Sequence, residues 1–192
     1  FTISVAKAGL IFTPQTVSTL TSADNTINTG NLWGVDFVSA NSIFNQALDN
    51  YSLNFSTSGD ANWFTETTTW YYGGSAAQSG AIANGQSTSL QTTVVGPGTL
   101  SFYWKVSAYL YFNKLNLYLD TALIDGISGG VDWTQKTLSI PAGLHTITWQ
   151  YSKTSSQTSP IYSDCAWLDK VVYTTAGGSK SIAAINQLLL AD

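Results

Sequence analysis

From Leu100 onward the chain alternates apolar and polar residues in short runs parted by Gly, Pro and Asn turns. Leu100, Phe102, Trp104 and Val106 fall on one side of the pleat that a period of two generates, and Ser101, Tyr103, Lys105 and Ser107 fall on the other. Leu115, Leu117 and Leu119 repeat the pattern, then Leu138 and Ile140, then Ile147, Trp149 and Tyr151 on a face shared with His145. A last strand is expected over residues 166–174. Earlier, Trp33, Val35 and Phe37 alternate, as do Leu53 and Phe55, and residues 90–95 make another such stretch. Gly96-Pro97-Gly98, Asp125-Gly126 and Pro141-Ala142-Gly143 read as turns, because Gly takes positive φ cheaply and Pro fixes φ in advance. Roughly eight short strands at this spacing predict an all-β fold, two antiparallel sheets packed face to face as a sandwich.

The two ends read differently. Phe1, Ile3 and Val5 alternate with Thr2, Ser4 and Ala6, which predicts a strand beginning at the amino terminus. Ile182, Ile185, Leu188 and Leu189 recur at helical spacing after Ser179 and Ser181, residues suited to capping, so the one helix expected is a short C-terminal one. The expected organisation is an N-terminal extension over 1–46 with strands available for donation to a neighbour, a β-sandwich over 47–175, and a helical tail over 176–192.

Charge narrows the partners. Only 9% of the 192 residues are charged, all seven basic residues are Lys, and the net charge is -4. Nothing here neutralises a phosphate backbone or an anionic bilayer, so nucleic acid is not an expected partner. No apolar run approaches the roughly 20 residues that span a bilayer, so membrane insertion is not expected either. The chain lacks Met even at its start, which predicts a secreted, extracellular or cell-surface product with a cleaved leader. The lone Cys165 excludes an intramolecular disulfide and reads as a small core residue.

Six stretches carry a resemblance. They are Ala47-Leu48-Asp49, Asn62-Trp63-Phe64, the run from Gly73 to Gly80, the run from Gly96 to Val106, Ile140-Pro141-Ala142-Gly143-Leu144-His145-Thr146, and Ala166-Trp167-Leu168-Asp169-Lys170-Val171. In order and spacing this set resembles the jelly-roll modules of the MAM and cleaved-adhesin type found in secreted bacterial surface proteins. The resemblance covers about two thirds of the chain, from about residue 47 to 175. It implies a jelly-roll sandwich with adhesive, carbohydrate-binding or spacer duties, and it implies no catalytic residues. Tyr109-Leu110-Tyr111-Phe112 departs from it, since such modules usually carry a polar hairpin there.

Several clusters are candidates for chemistry. Gly126-Ile127-Ser128-Gly129-Gly130 fits the Gly-x-Ser-x-Gly pattern, with Asp132 and His145 following in hydrolase order. A nucleophile elbow needs a strand-to-helix turn above a parallel sheet, and here the expected context is antiparallel, so catalysis is not expected. His145 is the sole imidazole and Glu66 the sole Glu, which removes multi-His zinc sites and leaves a glycosidase pair without an obvious second member. Asp49, Asp60, Asp164 and Asp169 are candidate calcium ligands; first and last strands commonly lie side by side in jelly rolls, which would bring Asp49 near Asp169. The competing reading is capping of turns and strand ends.

Trp63, Phe64, Trp70, Tyr71 and Tyr72 cluster in a Thr-rich segment bounded by Gly. Trp63 matches a landmark of the resemblance and is expected in the core. Trp70, Tyr71 and Tyr72 are candidate glycan-stacking or interface aromatics. Two functions of different class follow. One is a structural subunit of a filament or surface layer whose partners are copies of itself, assembled through Phe1, Ile3 and Val5 as a donated strand and through Tyr109, Tyr111 and Phe112. The alternative is a carbohydrate-binding or adhesin module whose partner is a polysaccharide.

Overall fold

The computed structural model describes residues 2–3, 15–16, 42–154 and 161–176. The chain divides into two compact units, Phe1–Ile43 and Phe44–Asp192. In the first, β1 (Thr2–Ile3) pairs antiparallel with β2 (Gln15–Thr16), with Ile3 opposite Gln15. Phe1 and Val5 lie outside the described residues, as do Trp33, Val35, Phe37 and the expected helix over the C-terminal tail. A helix does form where none was expected: α1, Ser42–Ala47, at the join of the two units. It is too short for its period to be read against the background. Phe44, Ala47 and Leu48 nonetheless fall at i, i+3 and i+4, and they turn onto the core of the second unit.

The second unit is all antiparallel β. Its strands are β3 (Phe55–Gly59), β4 (Phe64–Glu66), β5 (Ala76–Gln78), β6 (Ser87–Ser107), β7 (Asn113–Leu119), β8 (Ala122–Ser128), β9 (Gly130–Lys153) and β10 (Cys165–Thr175). β6 and β9 are far longer than an ordinary strand of five or six residues. They pair with each other from Ser87↔Ser152 through to Ser107↔Gly130, with a register shift at Gly96/Gly98. Before the shift, β6 has β3 on its other side; beyond it, β6 has β10. The late part of β9 is flanked by β7 and then β8, while β10 is flanked by β5 and then β4. Two five-stranded layers result. Layer A runs β3, early β6, late β9, β7, β8; layer B runs β4, β5, β10, late β6, early β9.

Gly96-Pro97-Gly98 and Pro141-Ala142-Gly143, expected as turns between strands, are therefore corners within them. Ladder pairing continues across the bend, so each long strand contributes to both layers. Gly is required at 96 because a Cβ there would stand 1.8 Å from the Pro141 carbonyl oxygen. Asp125-Gly126 also proves to lie inside a strand, β8; the reversal sits at Asp120-Thr121, where Asp120 takes a φ of 55°.

The core is what the alternation predicts. Leu100, Phe102, Trp104 and Val106 are all buried, as are Leu115, Leu117, Ile147, Trp149 and Tyr151. Phe102 of layer B meets Trp149 of layer A edge to face, ring centroids 5.2 Å apart, so the layers pack face to face in a sandwich-like arrangement. Trp63 joins this core, and so do Leu168 and Val171 of β10.

Candidate functional site

The sandwich turns one side of layer B outward, and the segment from Thr69 to Gly74 crosses it. Two forces hold that crossing. Asp169 of β10 is wholly buried, and its Oδ2 accepts the backbone N–H of Tyr71 at 2.7 Å and of Tyr72 at 3.0 Å. The Tyr71 ring then stacks on Tyr103 of β6, centroids 3.6 Å apart and planes 15° apart, and lies 6.3 Å from Trp133 of β9. Tyr72 carries the Lys170 ammonium 4.4 Å from its ring centre. Pinned this way, Trp70 and Tyr72 still remain about half exposed, at 48% and 51%. The result is a fixed, solvent-facing aromatic platform built from three parts of the chain.

A β-bulge aims one side chain into it. The β10–β6 register shifts between Asp169 and Val172, and Lys170 has a φ of 48°, left-handed for a residue that has a Cβ. With that irregularity the adjacent side chains of Asp169 and Lys170, which a regular strand would send to opposite faces, both engage the Tyr71-Tyr72 segment. Beside the platform, a shallow groove of about 390 Å³ runs past Thr69, Lys105, Asp132, Tyr162 and Trp167. Lys105 and Asp132 form an ion pair of 2.6 Å on its wall.

The four candidate calcium ligands do not converge. Asp60 accepts the Ser87 N–H at 2.8 Å and serves the turn after β3. Asp164 is bound by the Lys153 ammonium, the Tyr151 hydroxyl and the Asn113 amide. Burial works to raise its pKa, but these bonds outweigh burial and hold it below the ordinary carboxylate range. Asp49 and Asp169 do meet, because residues 48–50 lie along β10: the Val171 N–H donates to the Leu48 carbonyl and the Asn50 amide donates to the Val171 carbonyl, each at 2.9 Å. Burial pushes Asp169 up to about 6, with the neighbouring Asp49 adding to the effect, and burial also raises Asp49. Asp49 Oδ2 and Asp169 Oδ1 are buried and without a hydrogen-bond partner. The two carboxyl groups also face each other: a hydrogen bond with Asp169 draws the Asp49 pKa down against burial, so they can share one proton, and a hard cation such as Ca²⁺ there would need its further oxygens from backbone and water. Among the described residues, no group of three or more His, Cys, Asp or Glu side chains stands ready for a metal.

The hydrolase-like trio is dispersed. Ser128 Oγ donates to the Asn113 carbonyl and accepts the Tyr111 N–H, both at 2.8 Å; Asp132 holds Lys105; His145 Nδ1 lies 2.9 Å from Asp120. Each is spent on a turn or a surface pair. Cys165 is buried, and burial pushes its thiol up to about 12. Of the aromatic loop after β6, Tyr109 is half-buried against Phe112, centroids 5.6 Å apart, while Tyr111 is 75% and Phe112 49% exposed. Tyr111 takes a φ of 70°, held by its bond to Ser128.

No protein-family profile matches the chain, and no curated protein matches it in sequence. Among solved structures, it is similar to the K2 cleaved adhesin domain of Lys-gingipain, with 13% identity over 63% of this chain and 90% of that one, at a TM-score of 0.48. It is also similar to TmCBM61 in complex with β-1,4-galactotriose, with 14% identity over 71% and 96%, at 0.48. A third likeness is to the secreted serine protease VesC of Vibrio cholerae, with 18% identity over 60% of this chain, at 0.47; the chain spans only 25% of that protein. At such identities and scores these likenesses carry no argument about what this chain binds or does.

Proposed function

We propose that this chain is an extracellular carbohydrate-binding or adhesive jelly-roll module that works without covalent chemistry. The observation that supports it is the fixed aromatic platform: Tyr71 stacked on Tyr103, backbone anchored by Asp169, with Trp70 and Tyr72 left half exposed. The rings of Tyr71 and Tyr72, held by Tyr103 and Lys170, cost little entropy on binding, and the adjoining groove offers hydroxyl, ammonium and carboxylate groups to a sugar's hydroxyls. A surface with few charges fits a neutral polymer better than an acidic one. When bound, Ca²⁺ would be held by Asp49 and Asp169 and would screen their mutual repulsion, while Asp169 positions the Tyr71-Tyr72 backbone. The test is retardation of the protein in native gels cast with neutral polysaccharides, repeated with Trp70→Ala/Tyr72→Ala. Retardation lost in that variant at unchanged melting temperature supports the reading; retardation equal to wild type removes it.

A second reading rests on a different observation. Leu110, Tyr111 and Phe112 expose a contiguous apolar tip, the kind of surface that assembles with a copy of itself. In the donated-strand form of this idea Phe1, Ile3 and Val5 would join a neighbour, although Ile3 is paired within its own chain to Gln15. Regular filaments in electron micrographs, absent for Tyr111→Ser/Phe112→Ser, would favour it; monodisperse monomers would remove it.

A further inference from the structure

The outward side of layer A has none of the aromatic character of layer B. Strand registers align its side chains in rows that cross four strands. One row is Ser56, Gln91, Thr148, Tyr118; the next is Ser58, Ser89, Gln150, Asn116. These positions alternate with Phe55, Leu90, Trp149 and Leu117, which are buried in the sandwich, so the rows lie on the opposite face of the pleat. All eight side chains are uncharged and carry a hydroxyl or an amide. A shallow depression of about 460 Å³ is lined by six of them, Ser58, Ser89, Gln91, Tyr118, Thr148 and Gln150. Ser89 and Thr148 are buried in its floor, while Gln91 and Gln150 are half-buried. Each amide is braced by a neighbour: Gln91 Nε2 donates to Thr148 Oγ1 at 3.0 Å, and Gln150 Nε2 donates to Ser89 Oγ at 3.4 Å. Among the lining residues the one ionisable carboxylate is Asp120, already bound to His145 and to the Thr146 N–H.

This chemistry selects its occupant. A protein partner needs a large aromatic, apolar or Arg anchor at the centre of the contact, and the one ring in these rows, Tyr118, stands at their end on β7. A phosphate or carboxylate polymer needs cations, and none lines the depression. What remains complementary is a chain of groups that both donate and accept, spaced regularly and uncharged. Amides and hydroxyls offer that set, and strands about 4.8 Å apart repeat it across the face. Because the rows sit on hydrogen-bonded strands, with β6, β9 and β7 in the interior of the layer, little ordering is lost on binding.

We propose that the outward face of layer A is a separate binding surface for an uncharged polyhydroxylated chain, a neutral polysaccharide laid across β3, β6, β9 and β7. The site stands on its own geometry. Where the aromatic platform also binds a glycan, the two surfaces face away from each other, and one molecule ties two polymer chains together; that consequence alone rests on the function proposed above.

The test uses the full chain in native gels cast with hydroxyethylcellulose, galactomannan or polygalacturonate, in four forms: wild type, Trp70→Ala/Tyr72→Ala, Gln91→Ala/Gln150→Ala, and all four substitutions combined. Thr148→Val serves as a near-isosteric second probe of the floor should the Gln pair disturb folding. The expected result is that Trp70→Ala/Tyr72→Ala is still retarded in a neutral gel, that adding the Gln substitutions weakens retardation about tenfold, as loss of two hydrogen-bonding groups predicts, and that polygalacturonate retards no form. The proposal is overturned if Trp70→Ala/Tyr72→Ala migrates freely in both neutral gels, or if Gln91→Ala/Gln150→Ala and Thr148→Val both match wild type in that background. Retardation that the Gln pair removes and the aromatic pair leaves untouched would sustain this site and refute the platform.

Discussion

The buried pair Asp49 and Asp169 gives stability a pH dependence opposite to that of most carboxylates. Asp169 titrates near 6 in the folded chain against an ordinary value of 3.8. A carboxyl whose pKa rises on folding binds its proton more tightly when native, so its contribution is fully present below about pH 4 and is lost as pH climbs through 6. At 1.36 kcal/mol per pKa unit, that difference amounts to about 3 kcal/mol over the whole window. For a chain of this size, each kcal/mol moves Tm by roughly 2–4 °C, so the apo protein should melt roughly 6–12 °C lower at pH 7 than it would with Asp169 protonated. Asp120, Asp125, Asp132 and Asp164 are held below the ordinary range and act the other way only below about pH 4, outside this window. His145 is raised by its bond to Asp120, and its contribution likewise fades as pH rises above its ordinary value of 6.5. Calorimetry from pH 4.5 to 7.5, in EDTA and in millimolar Ca²⁺, separates the cases. In EDTA, Tm should fall with pH. With Ca²⁺ it should rise most at pH 7.5 and hardly at pH 4.5, where the ion competes with protons. Asp169→Asn keeps an acceptor for Tyr71 and Tyr72 but cannot ionise, so it should remove the Asp169 share of both dependences and leave the smaller slope that His145 supplies. An EDTA profile that is flat between pH 4.5 and 7.5, or identical in Asp169→Asn, refutes the reasoning; a Ca²⁺-independent Tm at pH 7.5 removes the metal.

Other consequences are simpler. Gly96→Ala drives a Cβ into the Pro141 carbonyl and should cost roughly 3 kcal/mol, read as a lower urea midpoint at unchanged m-value; a cost below about 1 kcal/mol would mean that the corner is soft. Phe102→Ala removes the ring that joins the layers at Trp149 and should cost about 3–5 kcal/mol by the same measurement. Cys165 should resist a thiol reagent in the native chain and react at once in denaturant, since it is 6% exposed and its thiol titrates near 12; rapid native labelling would contradict its placement. Lys105→Ala breaks an exposed pair and should leave the melting temperature nearly unchanged, while changing retardation if the groove beside the platform is used.

How much of this could be read beforehand depended on range along the chain. Alternation placed Leu100, Phe102, Trp104, Val106, Ile147, Trp149 and Tyr151 in the core because period two is a local signal. Gly96-Pro97-Gly98 was misread as a turn because a corner and a turn use the same residues; only the pairing of β6 with β9 distinguishes them. Asp125-Gly126 misled for a related reason, since Gly126 lies within β8 against the Asn116 side chain, not where the chain reverses. Short elements such as α1, β4 and β5 carry too few residues for a period. Trp70, Tyr71 and Tyr72 stood out as a run of rings, but Tyr103 and Trp133 did not, being on other strands at positions indistinguishable from solvent-facing ones. The bracing of Asp169 against two backbone N–H groups left no mark in the sequence at all.

The bent ribbon of β6 and β9 has a mechanical consequence. With one continuous ladder threaded through both halves, neither sheet can be peeled from the other without breaking hydrogen bonds on its own side of the bend. Pulling on the chain should thus meet one yield point instead of two, and amides on either side of residue 97 should surrender their deuterium together.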